Sequence, residues 1–586
     1  MTKQSSEGLV PIEKFNQGGL SDSKFSGIKY SLYKITGWDP HSTPGLLKVA
    51  QKLTAETSGD VPNELCRERV NCSNGLNYWF SFQSGKVWQE KNGTYTLVFT
   101  TSPSPSTSKS PSLSPSTSPS SSTSPSSSLS PSVSPSLSAS VSLSPSKSPS
   151  VSPSVSTSPS NSLSPSLSPS VSPSVSQSPS ASTSKSPSLS PSKSPSISPS
   201  LEPAGTNGCL GAAQYQEYIY WASADGLHRI AVANADGAAA WTANAQLNFG
   251  VFTNGNELYH PMYETPGQVL YIGDGNLIAQ VDDGVFSASA LDIKNPLIVK
   301  CLGGIGTDLL IGTFVADTVT QTEIIRWNTW SISFTNSDPI PEVGINAFLP
   351  ADNRVFVQAG RAGNIYSYNG EKLELFKKIP GDYSPTATAE VYPSSVTQIG
   401  GDIYFAVSNI LGNPCDQGIY RLGRHSNNYP YILDFPYPIS ERSAGEFVTT
   451  GLHLGGLLSS GSLLYLSWKN NAGSDTYGID KLDYSTKLNG AYFETMVSVI
   501  NREKLTNFSK AIVAYASLPA STDIDIYLDI NHAGIGSALS TVDDSQRNII
   551  ETKDEGVEFT TIRVKVKATT SANSGPEIES AGYFIH

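Results

Sequence analysis

Enzymatic chemistry needs acids, bases, nucleophiles or metal ligands held together, so the Asp, His and Cys residues come first. Glycoside hydrolysis, for example, takes two carboxylates facing each other across a sugar. The conspicuous carboxylates here are Asp225, Asp274 and Asp283, each followed by Gly. Asp-Gly is turn chemistry, because Asp tolerates and Gly prefers the left-handed backbone region. No spacing selects two of these acids as a pair. The seven histidines, His41, His228, His260, His425, His453, His532 and His586, are scattered. The five cysteines, Cys66, Cys72, Cys209, Cys301 and Cys415, form no CxxC pair and have no His at ligand spacing, so no zinc site is expected. Cys66 and Cys72 are near enough in sequence to pair, and equally suited to remain thiols. GxSxG, HExxH, P-loop and EF-hand sequences are absent. No catalytic residue, metal or cofactor is assigned.

Binding chemistry has two candidates. HSNNYPYILDFPYPIS, residues 425–440, places Tyr429, Tyr431, Phe435 and Tyr437 among prolines. Aromatics stiffened in this way can stack on sugar rings or dock a partner; the competing role is packing between elements. RWNTWSISF, residues 326–334, offers Trp327 and Trp330, which serve equally as strand-face core.

The elements that must position these side chains read as strands. YWFSFQSGKVWQ, YIYWASADGLHRI, VLYIGDGNLIAQV and VFVQAGRAGNIYSY each set an alternating apolar run, a Gly-bearing turn and a second run in order. That is the hairpin pattern. Longer versions start at Leu309, Ile403 and Leu463. Starts at 218, 269, 309, 355, 403 and 463 are separated by 51, 40, 46, 48 and 60 residues. A period of about 40–50 residues with three or four strands each marks a β-propeller. SADG, residues 223–226, shares a fragment of the sialidase Asp-box but lacks its remaining Gly and Trp and does not recur.

Residues 102–203 are almost wholly Ser and Pro. Such a run has little apolar surface to offset ordering entropy and favours solvated, extended chain. The first hairpin starts at 78, 140 residues before the second. With the run subtracted, about one ordinary repeat of ~40 residues remains. The run is therefore expected to interrupt one seven-bladed propeller after its first blade, at a closure cost of about 4 kcal/mol. The alternative is six blades with a separate N-terminal domain.

The expected organisation is an extended N-terminal arm at 1–44, first propeller strands and blade at 45–101, the disordered insertion at 102–203, the remaining blades at 204–490 and a small β-sandwich at 491–586. GLLKVAQKLTA, residues 45–55, is expected to pair with the final blade or to complete the first. In the last segment Ile562, Val564 and Val566 alternate with Arg563, Lys565 and Lys567, so one face is buried and one wet.

Charged residues make up only 15% of the chain and its net charge of −12 is spread thinly, which argues against nucleic-acid binding. No run approaches the ~18 apolar residues of a membrane-spanning helix. MTKQSSEGLVPIEKF has no apolar stretch of secretory-signal length, so neither membrane insertion nor signal-directed export is expected.

DLLIGT, TEIIRWNTWSISF, PEVGINAFLPADNRVFV, GNIYSYNGEKLELF, NPCDQGIYRLGRHSNNYPYILDFPYPIS and YGIDKLDYSTKLNGAYFET resemble a group of propeller proteins encoded among the virion genes of tailed bacteriophages. The resemblance covers about 20–100 and 205–586; the Ser/Pro insertion departs from the pattern. It implies a structural or host-adhesion component of the phage particle, tail-associated and made in the host cytoplasm. The implied partners are other virion proteins and a host-surface glycan or protein. It supplies no catalytic residues. The rival readings are a carbohydrate-binding or carbohydrate-cleaving propeller and a cellular surface adhesin.

Overall fold

A computed structural model describes the strand Glu7–Pro11, most of 32–100 and most of 209–585. The Ser/Pro run, with its expected disorder, lies outside the described residues, as do 425–429 and 441–451. The protein is all-β, dominated by four-stranded antiparallel sheets on a propeller-like plan. In chain order we call these sheet I (66–100), II (211–250), III (262–292), IV (298–340), V (345–378), VI (396–438) and VII (452–487). Sheet VI is a ladder within a larger sheet, and sheet VII takes its fourth strand, Gln51–Ala55, from near the N-terminus.

Burial within each sheet explains the sequence pattern. Second strands such as Asn77–Ser81 and Leu270–Asp274 are buried at every position, because neighbouring sheets cover both faces. Fourth strands such as Thr94–Thr100 and Val285–Asp292 are mostly exposed or half-buried. First strands crowd together. A Cβ on Gly455 would lie 2.4 Å from the carbonyl oxygen of Cys66, so only glycine permits that approach.

The apolar clusters sit between successive sheets. Phe80 of sheet I joins Trp221 of II, and Tyr220 of II joins Ile272 of III. Tyr271 of III joins Trp327 of IV, and Leu310 of IV joins Val357 of V. Phe356 of V joins Phe405 of VI, and Tyr404 of VI joins Trp468 of VII. Trp79 of sheet I packs with Tyr465 of VII, which brings the circuit back to its start. Strands on both sides of the Ser/Pro run take part: the Cys209 N–H donates to the Ser81 carbonyl at 2.7 Å, and Leu482 pairs with Leu53.

The segment 1–44 is not a free arm where it is described. Leu32–Thr36 pairs antiparallel with Tyr492–Thr495 and meets sheet VI in parallel at Phe435. Trp38–Asp39 pairs with Leu47–Val49, which pairs with Glu577–Ile585. Ile35 and Trp38 are buried; a composition rich in Gly, Ser and Lys hid these two anchors. Residues 45–55 divide, Leu47–Val49 going to the C-terminal strands and Gln51–Ala55 to sheet VII.

The C-terminal strands form two sheets. One includes Thr506–Tyr515, Ile549–Lys553 and Glu577–Ile585; the other includes Tyr492–Thr495, Asp523–Ile530 and Thr561–Thr569. Val513 and Ile578 of the first share a core with Ile526 and Val564 of the second, and that core continues into sheet VI. A buried arginine ties the parts together. Arg421 lies 2.5 Å from Asp434 and 2.7 Å from Asp39. Burial pushes the Asp434 carboxyl up to about 6 against the opposing pull of Arg421. All five cysteines are buried and none is joined in a disulfide. No helix among the described residues is long and apolar enough to cross a membrane.

Candidate functional site

One candidate lies in the loop joining Thr322–Trp327 to Asn336–Ile340, the third and fourth strands of sheet IV. Trp327 and Trp330 lie three residues apart with opposite fates. Trp327 is buried, edge-on to Tyr271 at 5.4 Å. Trp330 is 86% exposed and Ile332 is fully exposed. The loop between them is braced. Asn328 Oδ1 accepts the Ser331 N–H at 3.0 Å and the Ser331 hydroxyl at 2.7 Å, while Trp327 Nε1 donates to the Ser331 carbonyl at 2.8 Å. Thr329 adopts φ of 69°, a left-handed conformation that closes the turn. A large indole thus projects into water from a hydrogen-bonded turn, whose backbone has little ordering left to lose on binding.

The second candidate stretch packs inward. Phe435 is buried and stacks on Tyr420 at 4.3 Å; Tyr437 is buried and stacks on Tyr404 at 6.3 Å. Their strand, Ile432–Pro438, is buried throughout: Phe435 belongs to the core shared with sheet V and the C-terminal strands, and Tyr437 to the cluster shared with sheet VII. Tyr431 is half-buried, edge-on to Phe356 at 5.0 Å and under Arg424 at 5.0 Å. Tyr429 lies outside the described residues. Of the six aromatic candidates, Trp330 alone stands out in solvent among the described residues.

A concave site lies where loops of the sheets meet the C-terminal strands. This cavity of about 540 Å3 is lined by Asp382, Asp416, Tyr492, Glu494, Tyr527 and the wet face of Thr561–Thr569. Alternation on that strand turns Arg563, Lys565 and Lys567 to one side. The sequence marks these three as a wet face; it does not show that sheet loops roof them. Arg563 is paired with Glu494 at 3.0 Å and Asp529 at 2.8 Å. Lys565 lies 3.6 Å from Glu494 and 4.1 Å above the Tyr492 ring. Tyr492 and Thr36 hydroxyls donate to Asp416 Oδ2 at 3.2 and 3.3 Å. Among the described residues no carboxylate lies within 4 Å of Lys567. The result is a polar wall in which Arg563, Lys565 and Tyr492 are engaged with one another's neighbours, Lys567 adds a further cation, and the Tyr527 ring lines the space beside them.

Neither family models nor curated proteins match this sequence. Solved structures with a likeness include an exo-β-1,3-galactanase of Phanerochaete chrysosporium, at 9% identity and TM-score 0.24, covering 56% of this chain and 95% of that one. The extracellular domain of a hybrid two-component system protein of B. thetaiotaomicron gives 10% identity and TM-score 0.39, covering 80% and 44%. Virginiamycin B lyase of Staphylococcus aureus gives 12% identity and TM-score 0.30, covering 50% and 92%. At such distances a functional reading rests on the sheets and side chains themselves.

Proposed function

We propose that the chain is a non-enzymatic adhesion scaffold, a seven-bladed propeller with a C-terminal β-sandwich, carried on the particle of a tailed phage. The observation that carries the adhesion half is the braced loop with Trp330 and Ile332 in solvent. Exposing two large apolar side chains on a stiffened turn is costly unless a partner covers them, and Trp is a common anchor at interfaces. Sheets that pack in a circuit give that anchor a rigid mount. The phage assignment rests on the sequence resemblance alone.

The adhesion reading predicts that Trp330→Ala together with Ile332→Ser lowers attachment to the host surface at least tenfold while the melting midpoint stays put. Unchanged attachment would remove the loop from the reading. For the particle, antibody against this chain should decorate purified virions at the tail in electron micrographs; virions free of the protein would refute that half.

A second reading, carbohydrate binding, is favoured by the polar cavity with Tyr492, Tyr527 and Lys567. Its test is a glycan array with wild type and Tyr527→Ala. A glycan retained by the first and lost by the second supports it, and a blank array opposes it.

A further inference from the structure

Where the first strands converge, a second cavity of about 250 Å3 opens. It is lined by residues of sheets I to V and by the segment leading into VI. Pro350, one of the lining residues, is exposed, so the space reaches solvent. Ordinary ligand pockets hold ~300–1,000 Å3; this one suits a single small ring and is too small for a chain of them. Part of the lining is apolar and aromatic, and two adjacent glycines of sheet IV make room for it. A Cβ on Gly303 would lie 2.9 Å from Cδ2 of Phe348 in sheet V, and one on Gly304 would collide with the hydroxyl of Tyr263 in sheet III. Glycine at both positions lets the two rings lie against bare backbone. Met262, Leu302 and Val355 extend the apolar surface.

The cations of the lining are already engaged. Lys300 Nζ lies 2.6 Å from Glu390 and donates to Asn346 Oδ1 at 2.9 Å. The Arg67 guanidinium lies 4.6 Å from the Tyr259 ring centre and 4.9 Å from that of Tyr392. Arg69 donates to the main-chain carbonyls of Leu457 and Val396. An ionic ligand would give up its water for groups that have partners, a poor exchange, so the lining favours a neutral one. Hydrogen-bonding capacity remains at two lining residues. Glu68 lies 3.7 Å from Arg67, with the Ser394 hydroxyl beside it. Its carboxylate offers about four acceptor sites, more than these two neighbours use. Burial pushes the Tyr263 phenol up, with no hydrogen bond opposing it, so that hydroxyl can still donate and accept.

We propose that this cavity binds one neutral sugar ring, its C–H face against Phe348 and its hydroxyls toward Glu68 and the Tyr263 phenol. Aromatic rings suit the apolar face of a sugar, and a carboxylate beside a phenol suits neighbouring hydroxyls, which donate and accept. The proposal rests on neither the Trp330 loop nor the polar cavity. The test is calorimetry and thermal denaturation of the full chain with galactose, glucose and N-acetylglucosamine, and with galacturonate as the charged counterpart. At least one neutral sugar should bind saturably and raise the melting midpoint, and galacturonate should bind at least tenfold more weakly than that sugar. Glu68→Gln should weaken the binding at least tenfold. Ala212→Phe narrows the cavity from its lining without touching a charge; it should abolish binding in a protein that still melts cooperatively. This variant decides the matter should Glu68→Gln fail to fold. No binding of any neutral sugar, or galacturonate binding as tightly, would overturn the proposal. So would full binding by folded Ala212→Phe, which would place the sugar elsewhere, as in the polar cavity.

Discussion

His228 shows how a single side chain ties the protein to pH. Its Nδ1 accepts the Asn248 backbone N–H at 3.0 Å, which leaves Nε2 to donate to the Ser223 hydroxyl at 2.7 Å. The neutral ring is therefore the one that fits, and burial lowers its pKa to about 4 from 6.5. The unfolded chain takes up a proton near pH 6.5 that the folded one refuses until about pH 4. The His228 contribution is complete above pH 6.5 and is lost as pH falls toward 4, by about 3 kcal/mol. Urea unfolding at pH 7 and pH 4.5 should show a gap that shrinks by about 2–3 kcal/mol in His228→Gln; an unchanged gap would refute the assignment. Aromatics were less legible at this scale. Trp327 and Trp330 have the same residue type three positions apart, and only the Asn328-centred turn sends one inward and the other out. For Phe435 and Tyr437 the sequence left stacking platform and packing both open, because alternation does not show that neighbouring sheets cover the two faces of their strand.

Strands were easier to find than their neighbours. Alternation and Gly-bearing turns mark the hairpins of sheets II to V because both partners are local. Gln51–Ala55 is different: its apolar pattern fits any open edge, and its partner Thr476–Lys487 is remote in sequence. Leu53 is fully buried opposite Leu482. Leu53→Ala should cost about 2–5 kcal/mol, the range for emptying a buried leucine site, whereas loss from a frayed, replaceable edge would be under about 0.5 kcal/mol. Chemical denaturation separates the two. The charged groups of the inner cavity were hidden for a related reason. Arg67, Glu68 and Arg69 are consecutive in the strand Cys66–Asn71, but their meeting with Lys300 depends on how five sheets converge.

For the whole molecule, the repeat spacing carried the most information, because a four-stranded unit of steady length must pack against copies of itself. The part of the chain before the Ser/Pro run supplies all of sheet I, the last strand of sheet VII and strands of both C-terminal sheets. It is thus built into several units at once, which composition alone could not reveal. The central claim is that this part and everything after the run fold as one body. A protease site engineered near residue 150 tests it most directly. After cleavage the two fragments should co-elute in native size-exclusion chromatography and melt in a single transition close to that of the intact chain. A fragment ending near 150 that elutes folded and alone, with the remainder melting separately, would contradict the account.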